Sequence, residues 1–310
     1  MNYYIKQSPI TGLAGFGGGA SGLVVSGKAG IWYGGRGICA GGENGGNRDV
    51  IDYVTIASTG NATDFGDLTV NRAAVSGSSN GARGVCGGGE SGGRRNEIDY
   101  ITIGSTGNAT DFGDLTVSRS WAGCASDGTK AVWSGGNDGS DVNVMDYITI
   151  ITTGNASDFG DQSVTRREAS GLSNGVRGVY GGGYTGSESN VIDYVTISST
   201  SNASDFGDLT QARRHPASCD GNDRGVFGGG GNTYNIIDYI TISSTGNATD
   251  FGDLTSSRGY ASGASNGTRG IFMGGNSVTI DYVTIASTGN ATDFGDLTVS
   301  RAGMAGFSGD

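Results

Sequence analysis

The chain has 310 residues, of which 62 are glycine and only 2 proline, and its formal net charge is -11. The glycines do not recur at every third position, which excludes a collagen-like helix, and a chain of this length can bury a sizeable core. An acidic field repels phosphate backbones and anionic lipid, so nucleic acid and membrane insertion are not expected, and no apolar run reaches the length of a membrane span.

Residues 1–29 read as an N-terminal extension, densest in glycine from Gly12 to Gly22. Its first residues, Met1 to Gln7, lack the basic-then-apolar order of a secretory leader, so none is expected. From residue 30 onward the chain repeats. The segment IDYVTIASTGNATDFGDLTVNR at 51–72 returns at 98–119, 145–166, 192–213, 237–258 and 280–301. Its aspartates, Asp52, Asp99, Asp146, Asp193, Asp238 and Asp281, are spaced by 47, 47, 47, 45 and 43 residues. Its closing arginines, Arg72, Arg119, Arg166, Arg213, Arg258 and Arg301, always follow the aspartate by 20. A basic residue comes 11 later (Arg83, Lys130, Arg177, Arg224, Arg269), and the distance from there to the next aspartate is 16, 16, 16, 14 and 12. All variation in length therefore falls in one segment.

Each unit predicts four strands. Taking the second unit, strand a covers 73–77, and a turn at Ser79-Asn80-Gly81 leads into strand b at 83–86, which stops at a Gly-Gly pair. Strand c covers 98–103, and strand d starts near Phe112 and runs through Leu115 and Val117. The c–d link STGNATD carries the Gly-Asn chemistry of a tight turn. Four short antiparallel strands in 40 to 50 residues make a propeller blade, so an all-β, six-bladed β-propeller is expected over residues 30–310. Val25 to Gly35 does not match strand a, whereas Arg301 to Phe307 does and has no strand b after it. The C-terminal strand is thus expected to complete the first blade and close the ring.

The basic residue, the hydrophobic strand ending in Gly-Gly (Gly87-Gly88, Gly135-Gly136, Gly274-Gly275), the following tyrosine and the aromatic opening the fourth strand resemble the kelch family. Phe65 and its copies stand where kelch blades usually carry tryptophan. The long cassette IDYxTIxSTGNATDFGDLT is similar to repeats in structural proteins of tailed phages of marine bacteria, cyanophages especially. That resemblance implies a virion protein (a tail fibre, appendage or decoration) assembled in the host cytoplasm. It would meet other virion proteins through the N-terminal extension or a constant face, and a host-surface glycan or protein elsewhere.

Sixfold repetition argues against catalysis by the repeated residues, because an active site needs a constellation that breaks symmetry. The Asp-Phe-Gly triplets read as packing, the Asn-Ala-Thr/Ser sequons as turn geometry, and the paired Asp and Arg of each cassette as blade-to-blade salt bridges or backbone clamps. Asp64 and Asp67 leave a cation in the turns open, although the acidic spacing of an EF-hand is missing. His215, the sole histidine, sits where other units are read as having small residues. Neither a nucleophile elbow nor a phosphate loop is present, so no cofactor and no enzymatic activity are expected, a glycan hydrolase remaining the enzymatic alternative. Cys39 and Cys86 share a position with Trp133, Tyr180, Phe227 and Phe272, which predicts buried free thiols.

The b–c link alone is read as changing in both length and content. Two accounts stay open. The loops either tolerate change because nothing depends on them, or form an asymmetric recognition surface with Arg94, Arg95, Asn137, Asp138, Tyr184, Thr185, Asn232 and Tyr234 as contacts. A purely structural virion scaffold is the companion reading to the first account.

Overall fold

The computed structural model describes residues 33–231 and 234–310, so the expected extension at 1–29 and Asn232 lie outside the described residues. The strands form six four-stranded antiparallel sheets in a ring, a six-bladed β-propeller. In the second blade the strands are Ser76–Ser79 (a), Arg83–Gly87 (b), Glu97–Thr102 (c) and Thr110–Asp114 (d), paired in that order. The six a strands pack on one another around the axis, and the d strands lie at the rim. In the first blade Ala305–Gly309 supplies strand a beside Arg36–Ala40, with Arg36 opposite Gly309 and Ala40 opposite Ala305. The ring closes as the terminal match predicts.

The apolar cores lie between blades. Phe65 and Leu68 of the first blade pack with Val75, Cys86, Ile101 and Ile103 of the second, and the other five interfaces repeat the pattern. Both faces of each blade are thus covered, which is why strand c of the first blade, Val50–Thr55, is buried at Asp52 and Val54 as well as at Ile51. All four cysteines are free and buried, and Cys39, Cys86, Trp133, Tyr180, Phe227 and Phe272 are at most 3% exposed.

Several strand boundaries shift by one or two residues, and two differ from expectation by three. Strand a begins at Ser76 rather than Ala73, because Ala74 takes a left-handed φ of +57° and the backbone is not extended there. Strand d ends at Asp114 rather than running through Val117, because the Leu115 N–H turns back to the Asn96 carbonyl at 2.7 Å. Only in the last unit does it continue, as Thr292–Arg301, where Arg301 pairs with Ser277 of the shortest b–c link.

The repeated Asp and Arg do not pair within their own cassette. Each arginine crosses to the aspartate of the next unit: Arg72–Asp99 at 3.0 Å, Arg119–Asp146 at 2.8 Å, Arg166–Asp193 at 3.1 Å and Arg213–Asp238 at 2.8 Å. Arg258 pairs with Asp281, and Arg301 closes the circuit onto Asp52 at 2.8 Å. The guanidinium also donates to carbonyls between strands b and c of the neighbour, as Arg72 does to Glu97 at 2.9 Å and Cys86 at 3.2 Å. The aspartate in turn accepts from a threonine or serine hydroxyl of the preceding blade, such as Thr69 to Asp99 at 2.6 Å. Burying these charges is tolerable because each is paired, and most are also hydrogen-bonded, Arg119 being held by its ion pair alone.

Removing one partner leaves its mate charged and buried. Asp238→Ala is therefore expected to lower unfolding free energy by about 3–5 kcal/mol. The double change Arg213→Met with Asp238→Leu is expected to cost less than Asp238→Ala alone. Denaturant melts of the three proteins check this, and equal costs for the single and double variants would count against a strained orphan charge.

Candidate functional site

The a–b turns and c–d turns share one face of the ring, and the b–c loops and d–a links share the other. The first face is constant. In each blade the c–d turn binds the d strand of its predecessor: Gly107 donates to Phe65 O at 2.8 Å, Ala109 donates to Asp67 O at 2.7 Å, and Asn108 Oδ1 accepts from the Asp67 N–H at 3.1 Å. Gly66 sits in this contact with φ +148°, and a Cβ there would lie 2.5 Å from the Gly107 carbonyl oxygen. The Asp-Phe-Gly and Asn-Ala-Thr sequences are thus two halves of one blade-to-blade seam. Nearby, the basic residue opening strand b stacks on a tyrosine and reaches the next blade, as Arg83 does over Tyr100 at 4.3 Å and to Ile150 O at 3.1 Å. At the constant-face end of the axial channel the Tyr33 hydroxyl donates to Asp220 Oδ1 at 2.9 Å. Among the described residues no group of three or more His, Cys, Asp or Glu side chains is arranged to hold a metal ion.

The opposite face differs in every blade. Its loops are tied at their roots to the d–a links, for example Tyr184 N–H to Arg167 O at 2.8 Å and Glu90 N–H to Ala73 O at 2.8 Å. They are also joined side to side. Asn47 donates to Glu90 O at 2.6 Å, and Arg94 donates to Asn137 Oδ1 at 2.6 Å. Asn137, itself largely buried, donates to Asp141 at 2.9 Å, and Asp141 accepts from Arg167 at 2.6 Å. The Tyr234 hydroxyl donates to Glu188 at 3.0 Å. Of the residues expected as contacts, Arg94 and Asn137 therefore hold each other, Arg95 pairs with Glu97, and Asp138 accepts from the Ser140 N–H. Thr185 is exposed at the tip of its loop. Tyr184 and Tyr234 are drawn toward the channel mouth.

That mouth holds His215 and, beside it, residues that the sequence reading passed over. The second residue after each cassette arginine has a left-handed backbone: Ala74 (φ +57°), Trp121 (+60°), Glu168 (+61°), His215 (+47°), Tyr260 (+60°) and Gly303 (+65°). They encircle the axis through backbone hydrogen bonds, Trp121 N–H to Ala74 O at 3.0 Å, Glu168 to Trp121 at 2.8 Å, His215 to Glu168 at 2.7 Å and Gly303 to Tyr260 at 2.9 Å. Glycine takes this conformation freely, whereas a side chain there costs about 1 kcal/mol or more. Five units nevertheless carry one. The units surrounding His215 do not all have small residues at its position, as expected, but Trp, Glu and Tyr among them. Comparing this single column across the units, rather than loop lengths, would have exposed it.

The side chains form one cluster. Trp121 and His215 meet edge to face with ring centroids 5.2 Å apart, and Tyr260 lies 5.3 Å from each. Gly303 leaves room for the Trp121 ring, whose nearest carbon would sit 3.1 Å from a Cβ there. Around the aromatics stand two arginines and three carboxylates. Arg167 bonds Asp141 at 2.6 Å and Glu168 Oε1 at 3.3 Å, and stacks over Tyr184 at 4.5 Å. Arg214 lies between Glu168 Oε2 at 3.8 Å and Glu188 Oε1 at 4.0 Å. Burial pushes the Glu168 carboxyl up from its ordinary value against the pull of Arg214 and Arg167. Burial also lowers His215 to about 4, so its imidazole is neutral at pH 7.

No protein-family model matches the chain, and no curated protein matches it. The site is therefore read from its own chemistry.

A histidine whose pKa falls from 6.5 to about 4 on folding binds its proton less readily in the folded state, so its contribution is lost as pH drops through that interval. Relative to His215→Gln, the wild-type chain is expected to lose on the order of 2 kcal/mol between pH 7 and pH 4. Paired denaturant melts at half-unit pH steps check this, and parallel curves for the two proteins would contradict it.

Proposed function

We propose that the chain is a non-enzymatic recognition module of a virion, a tail-fibre or appendage part that contacts a host-surface glycan or protein through the b–c face. One observation carries the reading: the blade-to-blade contacts repeat around the ring, while the differences between blades gather on a single face. A rigid ring displaying one asymmetric surface is the arrangement expected of a binding module, and loops joined to one another present a shaped surface rather than six independent tips. The repeated Asp, Arg, Asn and Tyr side chains are engaged between blades, which supports a structural role for them.

The virion assignment rests on the similarity of the cassette to phage structural repeats, and kelch kinship on the order of conserved residue types within each blade. Tyr33, at the constant-face end of the channel, puts the start of the described chain opposite the variable face. That favours the constant face, together with the N-terminal extension at 1–29, as the side that joins other virion proteins. A purely structural decoration is the second reading, favoured by the sixfold identity of the c–d seam.

Replacing the b–c loops of the second, third and fourth blades with short Gly-Ser links separates the two. Loss of host adsorption with cooperative unfolding retained is the expected result. Unchanged adsorption by the altered particles would favour the scaffold reading instead.

A further inference from the structure

Three polar atoms at the mouth are sealed from solvent without a hydrogen bond, His215 Nδ1 among the aromatic rings and the pair Glu168 Oε2 and Arg214 Nε. The two atoms of that pair face each other at 3.8 Å, beyond hydrogen-bond reach, and Glu168 as a residue is only 5% exposed. Buried donors and acceptors are seldom left unmade, because each orphan carries its full desolvation cost. One oxygen about 2.8 Å from both atoms would satisfy the pair, accepting from the guanidinium N–H and donating to the carboxylate. Only a hydroxyl or a water does both at once.

The surroundings say which kind of molecule brings that hydroxyl. A cation would meet Arg167 and Arg214, and an anion would meet Glu168, Glu188 and Asp141, so a charged ligand of either sign faces an adverse neighbour within the same cluster. Trp121 and Tyr260 offer partly exposed ring surface beside the polar atoms. A small apolar ligand would leave the orphaned pair unmet. Apolar ring surface next to an adjacent donor and acceptor is matched by a neutral sugar, whose carbon face is apolar and whose hydroxyls donate and accept together.

We propose that the channel mouth, built from Trp121, Glu168, Arg214, Tyr260 and Glu188, is a binding subsite for one residue of a neutral saccharide. The proposal rests on the reading that this face is a recognition surface, and it names where in that face the sugar sits and what class of sugar it is. The left-handed backbone at Trp121, Glu168 and Tyr260 then has a use, since it aims three side chains from three blades at one point over the axis. His215, neutral and packed against both aromatic rings, positions them.

The test is 19F NMR on protein labelled with 5-fluorotryptophan, the Trp121 signal being assigned by its loss in Trp121→Phe. Trp133 is fully buried between blades and serves as the internal control. The probes are linear glucose, galactose and mannose hexaoses, with polysialic acid and a chitosan hexamer as anionic and cationic comparisons. At least one neutral hexaose is expected to shift Trp121 and leave Trp133 unmoved. Glu168→Gln is expected to weaken that binding about tenfold or more, and Tyr234→Phe, at the rim, gives a second reading should Glu168→Gln fail to fold. Silence at Trp121 with every probe, as bridging water alone would give, overturns the proposal, as does a stronger response to either charged polymer. A silent Trp121 alongside loop-dependent adsorption would sink the subsite and leave the recognition reading standing. A responsive Trp121 with loop-independent adsorption would do the reverse.

Discussion

The ring depends on an arginine that never meets the aspartate of its own cassette. By crossing to the next blade, each guanidinium reaches the neighbour's carboxylate, and Arg72, for one, also reaches carbonyls near the end of strand b and the start of strand c. A charge buried this deeply is stable only when every partner is in place, so the contact tolerates one spacing between blades and no other. Six such contacts in series close only when the last arginine, Arg301, reaches the first aspartate, Asp52. The same arginine heads the C-terminal segment that enters the first sheet, so ion pair and strand closure are set together.

This clamp also explains why the variable face can vary. The ion pairs lie just beneath the b–c loops and two residues before the left-handed ring at the mouth. Backbone positions at the mouth are therefore fixed by groups common to all units, and side chains there are released from structural duty. Gly303 and Ala74 in two blades show that the link needs nothing large; Trp121, Glu168, His215 and Tyr260 in the other four go beyond that need. On the constant face the opposite holds. Gly66 and its copies admit no side chain, because the neighbouring turn lies against them, and Asn108 and its copies are held by the preceding strand.

Much of the architecture was legible in the sequence, for a physical reason: interactions that must recur at every interface leave a periodic trace. The unit count, the order of strands and the terminal closure all follow from that trace. Partner choice did not. Asp52 and Arg72 stand in one cassette, and nothing in a one-dimensional repeat tells whether they meet each other or their neighbours. The end of strand d was misread because Leu115 and Val117 look like strand residues, whereas the tertiary bond from Leu115 to Asn96 turns the chain. The mouth was missed because its residues are aperiodic by nature and lie one per unit. Tyr184 and Tyr234 were within reach as loop residues, but their convergence with Glu188 and Arg214 belongs to the three-dimensional ring alone.

The central claim is that asymmetric contact belongs to one face and ring assembly to the rest. Hydroxyl-radical footprinting of the protein on bacterial cell envelopes, the partner class proposed above, tests it directly, since each face carries its own aromatic reporters. Protection is expected at Trp121, Tyr184, Tyr234 and Tyr260. Protection confined to the stacked tyrosines of the constant face, such as Tyr53, Tyr100 and Tyr194, would contradict the account.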